Sequence, residues 1–395
     1  MGLSDISIVP GKMSSRERVH AAAKGKPVDR VPVMYYLNPH AACRLIAEFI
    51  PAHDRFAGFA ARYLWKRFSG KGLEAPEIWR LLPHLLNEYA NGPYALELGA
   101  DIALEPVGAN GNVKRLYLED KHFRVLDAFN SVRGLGGIYM DIVRPAIKEV
   151  ADLKGYRFPD YTDDKHYGAI RKTRKAYPDA CIMFDDFGVQ DFFSTQIWSM
   201  TPFMMALYDH STEVKDYLQR FGDWSIDVAR RGIKAGADMV FIYDDYAYTG
   251  RPFISMEMWK EFTYPHLKRI IEAIHDAGGL AMLHSCGLQT PFLDFYVEAE
   301  LDILQAFQPK AGNDFLSAYK KYGDRLAFAT GIDIQMGEQM SAQEMRESIL
   351  SSYQIGKTHG RHILGMTHML QYTMPSHNIK AIFDTVYEIQ AGVHG

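Results

Sequence analysis

A histidine and a cysteine with one residue between them, His284 and Cys286, stand at the end of the apolar run LAML at residues 280–283. Residues two apart in an extended segment point to the same side, so this imidazole and thiolate can reach one metal ion. A glycine follows directly, where a buried strand is expected to turn. The spacing alone is a weak signal, because buried cysteines and histidines often only fill core space. His368, just after the last apolar run of the chain, is our candidate for a third ligand.

Polar side chains follow most of the other apolar runs as well. If these runs are the strands of a parallel barrel, their carboxyl ends meet at one opening, where catalytic residues collect. The residues at the ends of the runs are Tyr35, Tyr36, Glu105, Asp185, Asp186, Asp244, Asp245, Gln305 and Asp333. Any one of them could be an ordinary solvated loop residue, but their recurrence at almost every run indicates a functional site.

The elements that must position these residues are eight short runs rich in Val, Ile, Leu, Phe and Met. They cover residues 31–36, 102–107, 181–185, 238–244, 280–284, 302–307, 326–331 and 362–366. Continuous apolar runs are typical of strands that are buried on both faces, as in a parallel sheet. Helical periodicity fills the gaps from the third run onward. The pattern predicts a (β/α)8 TIM barrel, with a Rossmann-like open sheet as the alternative, although no G-x-G-x-x-G motif follows the first run.

The chain is longer than the roughly 250 residues that a barrel needs, and most of the excess lies before residue 180. We predict a single domain over residues 1–395, with a helical N-terminal cap around the first strand in residues 1–100 and the remainder of the barrel in residues 101–395. Residues 38–100 show helical patterns and no strand. Residues 112–129 predict a β-hairpin inserted after the second strand.

Composition excludes several classes of protein. The 44 basic and 48 acidic residues give a net charge of −4, without a long run of one sign, so nucleic acid is not an expected partner. The 3 cysteines are too few and too scattered for a disulfide framework, which favours a reducing compartment. No segment has the length and hydrophobicity of a membrane span, and the first residues lack the apolar core of an export signal. We therefore predict a cytoplasmic protein without a membrane partner.

Four segments of the chain resemble the uroporphyrinogen decarboxylase superfamily, and within it the zinc-dependent methyltransferases that serve corrinoid proteins. These segments are RERVHAAAKGKPVDRVPV (16–33), the block from YDDYAYTG to LHSCG (243–287), the stretch from DILQAF to ATGIDIQ (302–335), and PSHNIKAIFDTVYE (375–388). The decarboxylases carry an arginine-rich stretch after the first strand, which grips the carboxylates of a porphyrin. This chain reads MYYLNPHAAC (34–43) at that place, without an arginine, which disfavours porphyrin decarboxylation.

The resemblance implies a zinc site. The methyltransferase branch binds zinc through a His-x-Cys pair after the fifth strand and one more ligand after the eighth, which correspond here to His284, Cys286 and His368. In thiol-methylating members the last ligand is a cysteine, about seven residues before the proline of the terminal helix, and this chain has His368 there, ahead of Pro375. One thiolate with two neutral imidazoles leaves zinc with a net positive charge. That charge suits polarisation of the ether oxygen of a methyl donor.

The implied function is an O-demethylating methyltransferase that moves a methyl group from a small methoxylated donor, expected to be aromatic, to the cobalt of a corrinoid protein. The chain shows no module for carrying cobalamin, so the corrinoid is expected on a separate partner protein. The alternatives are transfer from methyl-corrinoid to a thiol or folate, a decarboxylase of the family type, and a catalytically inactive binding protein. The donor, the direction of transfer and the oligomeric state, a homodimer included, stay open.

The remaining residues at the ends of the runs have roles that follow from their chemistry. Asp244, Asp245 and Glu105 are the catalytic candidates. Asp244 or Asp245 is expected either as a fourth zinc ligand or partner of His284, or as part of a loop-capping pair. Glu105, Asp185 and Gln305 are expected to contact substrate hydroxyl groups. An aromatic wall for a flat ring is predicted from Tyr35, Tyr36, Tyr243 and Tyr246.

Overall fold

The computed structural model describes residues 11–68, 87–108, 113–120, 122–135, 140–189 and 197–394. Its strands are β1 Val33–Met34, β2 Ile102–Glu105, β3 Val113–Glu119, β4 His122–Asp127, β5 Val132–Leu135, β6 Met140–Arg144, β7 Cys181–Phe187, β8 Met239–Tyr243, β9 Ala247–Tyr248, β10 Arg251–Pro252, β11 Leu280–Ser285, β12 Ile303–Ala306, β13 Ala327–Ile332 and β14 His362–Met366. Its α-helices are α1 Ser15–Ala23, α2 Pro39–Glu48, α3 Arg55–Phe68, α4 Asn87–Ala90, α5 Pro93–Glu97, α6 Val150–Gly155, α7 Gly168–Ala176, α8 Met200–Asp209, α9 Ser211–Lys234, α10 Met256–Phe262, α11 Tyr264–Asp276, α12 Leu293–Glu298, α13 Phe315–Tyr322, α14 Ile334–Gly337, α15 Ala342–Gly356 and α16 Ser376–Gln390.

Eight strands in the described ranges form one parallel sheet in the order β1-β14-β13-β12-β11-β8-β7-β2. The last strand returns to pair with the first, with Val33 opposite Leu364. Between β1 and β2 the backbone N–H of Asp101 donates a hydrogen bond to the carbonyl of Val33 at 2.8 Å. The sheet is therefore a nearly closed barrel with helices around it, which confirms the predicted TIM barrel and excludes the Rossmann-like alternative.

Side chains alternate along each strand between the barrel interior and the surrounding helices, as the pleat requires. Met183 of β7 and Met282 of β11 face the interior, in one apolar cluster. Phe184 of β7 faces the helices, so close to α9 that a Cβ on Gly232 would lie 2.1 Å from its ring. This alternation decides which polar residues at the strand ends can reach the opening of the barrel.

Helix α1 closes the opposite, N-terminal end of the barrel. The guanidinium of Arg18 donates to Asp101 at 2.6 Å and to Asp29 at 2.7 Å. Asp101 also accepts a hydrogen bond from the backbone N–H of Val33 at 2.9 Å. Arg18 and Asp101 are buried, so each neutralises a charge that would otherwise be costly to bury. The pair holds β1 beside β2 and thereby sets where the residues that follow β1 enter the opening.

The N-terminal region agrees with its predicted helical character in residues 38–68 and 87–100, where the described residues contain no strand of the barrel. Arg44 of α2 donates to the carbonyls of Tyr372 and Met374, each at 2.6 Å, and so joins this region to the loop after β14. Within the described chain, no helix combines the length and the hydrophobicity needed to cross a membrane.

The insertion after β2 is larger than predicted. Strands β3 and β4 pair as the expected hairpin, and residues 112 and 121 of the predicted range lie outside the described residues. Two further strands, β5 and β6, extend it into an antiparallel sheet in the order β3-β4-β5-β6. The prediction missed them because β5 is short and contains a glycine, and such strands carry a weak sequence signal.

Candidate metal centre

His284 is the last inward-facing residue of β11 and is buried. Its Nδ1 is hydrogen-bonded to Oε1 of Gln305, its register partner on β12. The other end of the Gln305 amide, Nε2, donates to the carbonyl of Met366 at 2.8 Å. Because a carbonyl can only accept, Gln305 must present its oxygen to His284, and Nδ1 of His284 must carry the proton. The second ring nitrogen, Nε2, is then the one whose lone pair can bind a metal ion.

Cys286 lies one residue beyond the strand, in a sharp turn, with its Sγ 3.5 Å from Nε2 of His284. Gly287 makes the turn with φ at 78°, and a Cβ at this position would lie 2.0 Å from the carbonyl oxygen of Ala247. Only glycine combines this backbone conformation with so close an approach of another chain segment. The glycine after the histidine and cysteine therefore places the sulfur beside the imidazole at the barrel opening.

Asp245, in the loop after β8, is the third member of this group. Its Oδ1 lies 3.7 Å from Nε2 of His284 and accepts a hydrogen bond from the backbone N–H of Cys286 at 2.6 Å. Among the described residues, Asp245, His284 and Cys286 offer ligand atoms that all lie within 4.8 Å of one another. A carboxylate oxygen, an imidazole nitrogen and a thiolate sulfur are donors that zinc accepts, so these residues fit such an ion.

His368, in the loop after β14, lies near this group but outside its 4.8 Å limit. Its ring centroid is 6.4 Å from that of His284. Burial, followed by the nearby His284, lowers the pKa of His368, and Asp245 opposes that change. The ring is therefore neutral at pH 7, which is the form that binds metals. The structure thus brings Asp245 closer to His284 and Cys286 than the predicted third ligand.

Asp244 lies beside Asp245 in sequence but has different partners. Its Oδ2 accepts a hydrogen bond from the backbone N–H of Val189 at 2.9 Å, and its own N–H donates to the carbonyl of His284 at 3.0 Å. The side chain is buried. Asp244 therefore ties the loop after β7 to the end of β8, as in the loop-capping alternative, whereas Asp245 faces His284 and Cys286.

Aromatic rings surround His284. The ring centroids of Tyr243, Phe241 and Tyr36 lie 4.7, 5.7 and 6.3 Å from that of His284. Burial, followed by the charges of Cys286 and Asp245, raises the pKa of Tyr243 well above its usual value. An apolar wall beside His284 is therefore formed by two of the four predicted tyrosines and by a phenylalanine that the prediction did not include.

The other two predicted tyrosines lie elsewhere. Tyr35 packs against Phe383 of α16, with 5.1 Å between the ring centroids. Tyr246 belongs to a buried aromatic cluster, with its ring centroid 5.3 Å from Trp259 and 5.6 Å from Phe292. Neighbouring residues in extended chain point to opposite sides, so Tyr36 faces the opening and Tyr35 faces the helices. The structure does not bring Tyr35 or Tyr246 to the group.

Glu105 also faces the helices. It is the register partner of the outward-facing Phe184, and its Oε1 accepts a hydrogen bond from the hydroxyl of Thr173 on α7 at 2.6 Å. The residue is buried. The structure therefore does not bring this predicted catalytic carboxylate to His284, because the alternation of β2 directs it to the outside of the barrel.

Asp185 faces the interior, as register partner of Phe241. Its Oδ1 is sealed from solvent and has no hydrogen-bond partner among the described residues. Burial raises the pKa of this carboxyl to about 7. A carboxyl oxygen that is buried without a hydrogen-bond partner is costly for the fold, and such a group is a candidate for contact with a ligand.

Three other polar side chains lie at or just after the ends of β12 and β13. Gln305, predicted to contact substrate, already has both ends of its amide bonded, to His284 and Met366. Asp333 after β13 caps helix α14 by accepting from the backbone N–H of Met336. Gln308, which the prediction did not include, places its Nε2 3.1 Å from Sγ of Cys286. Its position just after β12 was an available signal, since polar residues that follow a barrel strand lie near the opening.

Comparison with known proteins places the chain in a family. Residues 141–389, well over half of the chain, match the family described as uroporphyrinogen decarboxylase (URO-D). The solved structure of a methyltransferase from Methanosarcina mazei is similar to this fold with a TM-score of 0.68, at 17% identity over 97% of this chain and 100% of that chain. A B12-independent methionine synthase from Shewanella sp. W3-18-1 reaches a TM-score of only 0.43, at 11% identity over 78% of this chain and 87% of that chain. No curated protein sequence matches the chain. The chain belongs to the uroporphyrinogen decarboxylase family.

Proposed function

We propose that this protein is a zinc-dependent methyltransferase that moves a methyl group from a small methoxylated donor to the cobalt of a corrinoid on a separate protein. The observation that carries the proposal is the convergence of Asp245, His284 and Cys286 within 4.8 Å of one another, at the opening of a barrel of this family. The similar fold of a methyltransferase from Methanosarcina mazei supports the same class of reaction.

The residues of this site would bind and orient the donor. Zinc bound there would supply a Lewis acid for the ether oxygen as its bond to the methyl carbon breaks. The rings of Tyr36, Phe241 and Tyr243 beside His284 offer an apolar face against which an aromatic donor can lie. Their bulk also excludes water from the same region, which strengthens every electrostatic interaction in it.

The direction of transfer depends on the charge of the ligand set. His284, Cys286 and His368 together would leave zinc with one net positive charge, which suits an ether donor. Asp245, one of the two aspartates predicted as a fourth ligand or partner of His284, has its Oδ1 3.7 Å from Nε2 of His284, and as a ligand it would cancel that charge. An electron-rich ion suits the binding of an attacking thiolate, so Asp245 favours the second candidate function, transfer from methyl-corrinoid to a thiol.

Porphyrin decarboxylation is the weaker candidate, despite the family name. The segment after β1, residues 35–43, contains no arginine, and its Tyr36 lies beside His284. A substrate with many carboxylates would lose its hydration there without a cation to replace it. We expect the purified protein neither to bind nor to decarboxylate uroporphyrinogen, and measurable product would contradict this argument.

The experiment that tests the proposal uses purified protein with its zinc content measured by elemental analysis. The protein is incubated with a corrinoid protein reduced to cobalt(I) and a panel of methoxyarenes, and methylation is followed by the cobalt spectrum. We expect methylation of cobalt with at least one methoxyarene and about one zinc per chain. Activity with methyl-corrinoid and thiols, but with no ether donor, would select the second candidate. Protein that binds no zinc would contradict both.

A further inference from the structure

The turn that carries Cys286 is held by three buried amide side chains, Gln289, Gln308 and Asn313. Gln289 donates to the carbonyl of Cys286 at 2.5 Å, and Asn313 donates to the carbonyl of Gly287 at 2.9 Å. Both of these bonds go to the backbone of the turn. Gln308 differs, because its Nε2 lies 3.1 Å from the Sγ of Cys286 itself.

The orientation of the Gln308 amide follows from its two backbone partners. Its Oε1 accepts from the N–H of Gly287 at 3.1 Å, and its Nε2 donates to the carbonyl of Thr367 at 3.2 Å. The flipped amide would place two donors together at Gly287 and two acceptors together at Thr367, so only one orientation satisfies both groups. The NH2 group must therefore be the end that faces the sulfur.

The backbone between the two glutamines has an unusual conformation that serves this contact. Gln305 and Gln308 are three residues apart and would face opposite sides of a regular strand. Phe307 between them has φ at 40°, in the left-handed region that side chains other than glycine rarely adopt. The chain turns there, so Gln305 reaches His284 while Gln308 reaches Cys286. Such strain is retained where the surrounding structure requires it, as at functional sites.

We infer that Gln308 is a positioning residue that sets the electron density on the Cys286 thiolate by donating a hydrogen bond to its sulfur. The inference rests on the proposed function and adds to it a residue that tunes the metal. An N–H donor withdraws charge from a thiolate, so the sulfur passes less negative charge to a bound cation. The hydrogen bond would therefore offset part of the negative charge that the carboxylate of Asp245 brings to the same group.

The experiment replaces zinc by cobalt(II) in the whole protein and records the near-ultraviolet band that arises from charge transfer from thiolate to cobalt. Loss of a hydrogen bond to sulfur raises the energy of its electrons, so we expect the band to move to longer wavelength in Gln308→Met. Gln308→Leu also removes the donor, and we expect a shift in the same direction. If circular dichroism shows that Gln308→Met does not fold, the second variant tests the inference in its place.

The matched control is Gln289→Met, which removes a buried amide from the same turn without removing a donor from the sulfur. We expect its cobalt band to stay at the position of the wild-type band. An equal shift in the control, or no shift in either Gln308 variant, would overturn the inference while leaving the metal site in place. A wild-type protein that binds cobalt without a thiolate band would instead overturn the proposed site, and the inference with it.

Discussion

Oδ1 of Asp245 lies 3.7 Å from Nε2 of His284. Nδ1 of His284 is already hydrogen-bonded to Gln305, so the carboxylate lies beside the ring nitrogen that remains available. A carboxylate so placed can serve as a metal ligand or can orient a ligand, and the two roles differ in what its removal does to zinc affinity. Substitution of Asp245 therefore separates the two roles.

We expect His368→Ala to weaken zinc binding by more than the roughly 10–100-fold that is typical of residues which only support a ligand, and Asp245→Asn to weaken it within that range. Asparagine keeps an acceptor for the N–H of Cys286, so the turn should hold its shape while the charge is lost. Competition with a chelator gives the affinity, and elemental analysis gives the stoichiometry. The control is His377→Ala, a histidine on the exposed part of α16, which should keep its zinc.

The outcome for His368 also decides the substrate class. Full zinc and full activity in His368→Ala, with zinc lost in Asp245→Asn, would move the third ligand to Asp245 and favour transfer to a thiol. If His368 is a ligand, His368→Cys should retain zinc near one per chain but slow ether cleavage, because a second thiolate lowers the positive charge of the ion.

Gln305 provides a second prediction, on the tautomer of His284. Gln305→Leu removes the acceptor for Nδ1–H, and we expect zinc affinity to fall by about 10–100-fold. Gln305→Glu keeps an acceptor toward His284 and loses only the donor toward Met366, so it should retain more affinity than the leucine variant. Wild-type affinity in Gln305→Leu would show that the hydrogen bond does not select the nitrogen that binds the metal.

A third prediction compares two glycines with the same backbone conformation. Gly287 has φ at 78° and Gly250 has φ at 79°, but a Cβ on Gly287 would lie 2.0 Å from a carbonyl oxygen, whereas a Cβ on Gly250 meets no atom within 4 Å. Gly250→Ala should cost roughly 1–2 kcal/mol in free energy of unfolding, from the left-handed conformation alone. Gly287→Ala should cost more and should also weaken zinc binding, because Cys286 must move. Equal losses of stability and unchanged zinc in both variants would contradict the role assigned to this turn.

Asp185 provides a prediction on pH and stability. Burial raises the pKa of this carboxyl to about 7, well above the value of about 3.9 expected in the unfolded chain. The folded state therefore binds this proton more tightly than the unfolded chain does. The stability that the protonated carboxyl contributes is lost as pH rises from about 4 through about 7. We expect Asp185→Asn to be more stable than the wild type by roughly 2–4 kcal/mol at pH 8, with the difference vanishing near pH 4.

Urea unfolding of both proteins across this pH range measures that difference. A difference that does not change with pH would mean that Asp185 does not titrate in this window. If Asp185 also binds substrate, the more stable asparagine variant should have lower activity, as expected where a functional group is retained at a cost to the fold.

The sequence by itself determined the architecture and the types of residue available for a site. Eight continuous apolar runs predicted the parallel barrel, because strands buried on both faces must be apolar throughout. The spacing of His284 and Cys286 predicted that both side chains point to the same side, because the alternation of side chains in extended chain depends only on neighbouring residues. Polar residues after the strands predicted where the site lies, since parallel strands end at one opening.

Only the tertiary structure decided which of the candidates meet. Strand alternation placed Tyr36 at the opening and Glu105 against α7, and a one-residue difference in register would have reversed either side chain. Asp244 and Asp245 are indistinguishable by residue type, but the loop after β8 turns one toward Val189 and the other toward His284. The contact of Gln308 with Cys286 joins residues 22 positions apart through a left-handed residue, and a local sequence pattern does not encode such a relationship. Loop conformations depend on packing between distant segments, which is why these assignments needed the folded chain.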